Sequence, residues 1–278
     1  AMQARIEAEP GIRTVELLTH RGYLDPRTRY PVDPNLAAPR AAWLGAGTAT
    51  TRTWLSVRAP LAWGCETGEY NTSPVPVGIL DLFFDAVHQD LSSSTVVIQR
   101  PNAAAMAWGP DGLNGMEGSH GTRIAGVVAA QGDNGQFLAG VLWRARLQLM
   151  AFGHGDSVVE DPVDRVVEML RVAQEAGLEI LNLSTGVDRA TDAIAVSRIR
   201  IALASYLDSD AKRLVVVATG NDGLTLTLGQ LASGTGADEL RMTALDRAAA
   251  QLAQIPTYRS KSLWVTGAQS DHTRWPFA

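Results

Sequence analysis

A chain of 278 residues with 46% hydrophobic and 19% charged residues has the composition of an ordinary buried core, neither disordered nor fibrous, in one large α/β domain or two small ones. Its net charge of −5 leaves no basic footprint for nucleic acid. The single cysteine, Cys65, excludes an internal disulfide and a thiolate metal cluster, and no run approaches the roughly 18 apolar residues of a membrane span.

In chain order, the N-terminus lacks a charged-then-apolar signal pattern. The first 70 or so residues are rich in proline, arginine and glycine. Ile12 to Leu18 reads as one strand, and Pro26, Pro31, Pro34 and Pro39 then break regular structure. Residues 1–54 are taken as an extended arm and 55–278 as the main domain. Val75 to Leu80 is a short buried strand ending at Asp81, and His120 to Ala130 a small-residue helix opened by its histidine. Leu147 to Phe152 is a strand. Pro162 to Ala176 is the clearest helix, with proline in its first turn, Gly177 at its end, and Val163, Val166, Val167, Leu170 and Ala173 on one stripe. Leu178 to Leu183 and Leu214 to Ala218 are strands around a helix from Thr191 to Leu207. A further helix between Asp238 and Leu252 precedes the strand Ser262 to Thr266. This alternation predicts an α/β fold of three layers, a mostly parallel sheet with helices on both faces.

Ligands of such sheets bind beyond the carboxyl ends of the strands, and Asp81, Ser184 and Asn221 all stand just past a predicted strand end. His120 is the candidate base, because imidazole is the side chain whose ordinary pKa suits proton transfer near neutrality. A carboxylate at Asp81 would fix its tautomer, and the Asn221 amide could donate to an oxyanion. Alone, each has a structural explanation: a helix-opening histidine, an acidic strand terminus, and a tight turn at Asn221-Asp222-Gly223. Bulky Leu82-Phe83-Phe84 after Asp81 supports no phosphate loop. Cys65 has no histidine near it in sequence and is set aside as a nucleophile.

Together, several stretches resemble the subtilisin-like (S8) serine peptidases: Val77-Gly78-Ile79-Leu80-Asp81, His88-Gln89-Asp90-Leu91, His120 through Gly126, Gly140-Val141, Ile180 through Gly186, Val215 through Gly223, and Val265 through Ala268. That resemblance runs from about Leu55 to Ala278. It implies a subtilisin-like fold and a serine endopeptidase in which Asp81 and His120 belong to the triad and Asn221 is the oxyanion donor. It further implies that Ser184-Thr185-Gly186 pairs with the substrate backbone as an added strand, with Gly220 near the pocket for the residue before the scissile bond. The polypeptide substrate is the implied partner, along with the protein's own propeptide, whose end the stretch Pro10 to Leu18 resembles, or a separate C-terminal fragment. A secreted or periplasmic location is likewise only implied.

Three departures stand out. Leu82 and Phe83 replace the small residue and glycine usual after the aspartate, Arg123 stands where a second histidine is common, and the stretch from Asn221 to Val265 is long. The segment Gln131 to Leu138 is shorter than the calcium-binding loop of some relatives, so neither calcium nor another cofactor is expected. The family's Gly-Thr-Ser-x-Ala element is absent from the 278 residues; Ser233-Gly234-Thr235 has the wrong order and place. The C-terminal part of the domain, with the nucleophilic serine, is therefore expected outside this chain, which alone would be inactive. The alternative is a protease-like module that binds peptides or a partner without cleaving.

Overall fold

The computed structural model describes residues 59–68, 74–81, 84–85, 88–91, 95–98, 120–136, 138–151, 161–187, 192–218, 227–234 and 243–265. The expected N-terminal strand lies outside them, as does the whole of the arm, residues 1–54. The described chain runs α1 (Ala59–Trp63), β1 (Pro76–Asp81), β2 (Thr95–Ile98), α2 (His120–Ala129), β3 (Arg146–Ala151), α3 (Pro162–Glu175), β4 (Ile180–Leu183), α4 (Ala193–Asp208), β5 (Leu214–Ala218), α5 (Leu228–Ser233), α6 (Ala244–Ala253), α7 (Pro256–Arg259) and β6 (Ser262–Val265). The six strands form one sheet in the order β2-β3-β1-β4-β5-β6. Every pairing is parallel, as the strand–helix alternation requires, since parallel neighbours need a crossover between them.

Register assigns the two faces. Leu80, Met150, Leu181, Leu183, Val215 and Val217 are buried with Val166, Leu170, Ile199, Leu203, Ala248 and Ala249, so α3, α4 and α6 cover one face. Val77, Ile79, Leu147 and Leu149 are buried with Ala125 and Ala129 of α2 on the other. Helix α2 lies close because its buried stripe is Gly121, Ala125 and Ala129, small residues one turn apart. Gly78 has a similar reason to be glycine: a Cβ there would meet Leu178 Cδ1 at 2.6 Å.

Helix ends follow local chemistry. The Asp161 carboxylate accepts from the Val163 amide at 3.0 Å ahead of Pro162, and Gly177 takes the left-handed φ of 69° just beyond the last turn, where a Cβ is disfavoured. Asp192 caps α4 by accepting from Ile194 and Ala195. Four elements were not foreseen: α1, β2, α5 and α7. The three helices are four to six residues long, too short for a helical stripe to repeat.

Candidate active site

Asp81 is the last residue of β1 and His120 the first of α2. The sheet and the small-residue stripe of α2 bring them together across 39 positions: His120 Nδ1 lies 2.7 Å from Asp81 Oδ1. The carboxylate is fully buried, whereas the imidazole side chain is 47% exposed. A carboxylate accepts, so Nδ1 carries the shared proton and Nε2 is left as the nitrogen for proton transfer. A buried acid gripping one side of a half-exposed imidazole fixes ring orientation and tautomer while leaving the ring accessible.

A second bond joins the same two segments. The Asp85 amide donates to Thr122 Oγ1 at 2.8 Å, and Phe84 is buried in the cluster that holds Ala125 and Ala129. Leu82 and Phe83, which depart from the family pattern, lie outside the described residues.

Ser184 follows β4 on the same rim, its amide donating to the Leu80 carbonyl at 3.3 Å beside the end of β1. Its hydroxyl accepts from Asn182 Nδ2 at 2.7 Å. Thr185 and Gly186 extend from there, half-buried. A Cβ at Gly186 would meet Thr243 Cγ2 at 2.2 Å, and the Ala244 amide donates to the Val187 carbonyl at 2.7 Å. The start of α6 thus seats the 184–187 segment. Strand β5 reaches the same rim at Ala218, beside Val265; Gly220 and Asn221, two and three residues on, lie outside the described residues. On this rim the structure places Asp81 and Ser184 at the ends of neighbouring strands, with Thr185 and Gly186 following Ser184 and His120 bonded to Asp81.

Sequence reasoning passed over Thr122, Asn182 and Thr243. Thr122 and Asn182 stand inside motifs read for their neighbours, and Thr243 opens a helix in the long stretch before Val265. No local signal links any of them to its partner except the Thr243 capping box with Asp246, which marks a helix start and nothing about the site.

The segment after α2 is closed by amide donors. Asp90 is buried; its Oδ1 accepts from Asn134 Nδ2 at 2.8 Å and its Oδ2 from the Leu138 amide at 3.1 Å. Among the described residues no group of three or more His, Cys, Asp or Glu is arranged to hold a metal, and no helix is long and apolar enough to cross a membrane. Cys65 is exposed in the turn after α1.

The subtilase family profile matches residues 72–270. The thermophilic serine proteinase of Bacillus sp. (strain AK1) is 28% identical over 168 residues, which make up 60% of this chain and 37% of that protein. Among solved structures, the epidermin leader peptide processing serine protease of Staphylococcus aureus is similar with a TM-score of 0.52 at 15% identity, over 83% of this chain and 55% of that one. A lanthipeptide protease is similar with a TM-score of 0.52 at 14% identity, over 90% and 62%. At these identities the structures speak for the fold. The chain spans little more than a third of the curated relative's length and under two thirds of either structure's.

Proposed function

The chain belongs to the subtilase family, and from that premise we propose that it is the larger part of a serine endopeptidase catalytic domain. The 2.7 Å bond between His120 Nδ1 and Asp81 Oδ1 carries the proposal, because a protein that only bound peptides would have no use for an oriented base. In this reading a serine hydroxyl from outside the 278 residues attacks the scissile carbonyl. His120 Nε2 takes the hydroxyl proton as the bond forms, then returns it to the departing amine. Asp81 holds the imidazole in the productive tautomer and stabilises the imidazolium. Asn221 donates its amide to the developing oxyanion, a contribution worth about 10²–10³ in turnover for donors of this kind. Ser184, Thr185 and Gly186 pair with the extended substrate backbone, and Gly220 borders the pocket for the residue before the scissile bond.

No cofactor is needed for this chemistry. The substrate is a polypeptide, the protein acts outside the cytoplasm, and its own propeptide or a separate C-terminal fragment serves as a further partner.

The test is a fluorophosphonate probe on a form extended to include Gly-Thr-Ser-x-Ala. Labelling of that serine, lost in His120→Ala and absent from the 278-residue chain, is the expected result. An extended form that folds and stays unlabelled would overturn the peptidase reading in favour of a binding module.

A further inference from the structure

We propose that Thr122 is a positioning residue: by accepting the Asp85 amide, its hydroxyl sets the angle at which α2 presents His120 to Asp81. The inference rests on the proposed Asp81–His120 pairing and concerns what keeps that pairing in register. The segment leaving β1 touches the first turn of α2 twice. Asp81 meets His120 at 2.7 Å, and the Asp85 amide meets Thr122 Oγ1 at 2.8 Å.

Two residues along a helix stand about 200° apart around its axis. The two contacts therefore grip the turn from nearly opposite sides. A single contact leaves a helix end free to roll about that point, whereas two opposed contacts restrain the roll. The restraint matters because of leverage: at a side-chain radius of about 5–6 Å, a roll of about 20° displaces the imidazole by roughly 2 Å. That exceeds the tolerance of a hydrogen bond, which weakens steeply within about half an ångström of its optimum.

Further along, α2 is held by Ile124 and Val128, which pack against the cluster on the sheet, and by bonds from the Val141 and Leu142 amides to the Val127 and Val128 carbonyls. In the first turn the buried residue is Gly121, which has no side chain to fix the roll at His120. Phe84, buried in the same cluster, anchors the other side of the clamp, so that Asp85 presents its amide from a fixed point. The hydroxyl is the only part of Thr122 that supplies this bond. Valine keeps the shape and removes the acceptor.

The experiment uses long-range ¹H–¹⁵N spectra of the 278-residue chain, with the His120 imidazole assigned by its loss in His120→Gln. In the parent chain the Nδ1 proton should be shared with Asp81 and protected from solvent. Thr122→Val should speed its exchange about two- to tenfold, the worth of one hydrogen bond, and shift the tautomer balance towards Nε2–H. Thr122→Ser should restore both. A valine variant that melts earlier but keeps the parent's exchange rate and tautomer would overturn the proposal, since the hydroxyl would then serve the fold alone. Should valine prevent folding, Thr122→Ala set against Thr122→Ser makes the same comparison. Asp81→Asn tests the pairing separately. If that change leaves the imidazole signal as it was, the pairing fails, whereas an unchanged signal in Thr122→Val alone overturns only the role of Thr122.

Discussion

The two faces of the sheet are built differently. On one, α3, α4 and α6 cover the side chains of β1, β4 and β5 completely. On the other, α2 covers β1 and β3, but the rows that continue across β4, β5 and β6 are progressively less buried. Ile180, Asn182, Leu214 and Val216 are half-buried, and Ala218, Leu263 and Val265 are exposed. The first face is scaffold: dense packing fixes where each strand ends, and so where Asp81 and Ser184 sit. The second carries the imidazole, which must be oriented by a buried group yet reachable from outside.

Four substitutions sharpen or break this division, from the largest expected effect to the smallest. Asp81→Asn, assayed by peptide hydrolysis in a serine-bearing form, should lower kcat by about 10⁴, as loss of the orienting carboxylate does in such triads. A loss below tenfold would remove Asp81 from the site. Leu203→Ala on the packed face should cost about 2–5 kcal/mol by denaturant unfolding. A cost below about 1 kcal/mol would show that this face is not the rigid one.

The third concerns Asp246, which caps α6 next to the 184–187 segment. Burial pushes its carboxyl up to about 6 against the opposing bonds from Thr243. The folded state therefore holds a proton that the unfolded state has released between about pH 4 and 6. Stability from this group is greatest below about pH 4 and falls by about 3 kcal/mol as pH rises through about 6. Asp246→Asn should flatten that slope in unfolding measured across the range, and an unchanged slope would assign the pH dependence elsewhere. Last, Leu263→Ser at the exposed end of the other face should shift stability by no more than about 0.5 kcal/mol. A cost like that of Leu203→Ala would mean that both faces carry the fold equally.

Much of this was legible in the chain itself. Apolar runs ending at Asp81, Leu183 and Ala218 located three strands. Pro162 and Gly177 bounded α3. His120 stood at the head of a small-residue helix, as found. The limits were those of local pattern. Met169 and Val172 are buried in α3 although the predicted stripe gave Val167 a place that is only half-buried, because the neighbouring helices widen the contact face. Strand β2 was not read as a strand, and α1, α5 and α7 are too short for a helical stripe to repeat.

What the sequence determined by itself was most of the elements, the parallel character of the sheet, and which polar residues stand at strand and helix ends. These follow from spacing along a few neighbouring residues, where backbone geometry alone decides. Only the tertiary structure decided that the Asp81 carboxylate reaches His120, that the Asp85 amide rests on Thr122, and that Thr243 fills the space Gly186 leaves open. Those contacts span 37 to 57 positions of chain. They depend on how closely whole helices approach the sheet, a distance set by packing many side chains at once and not by any one stretch of residues.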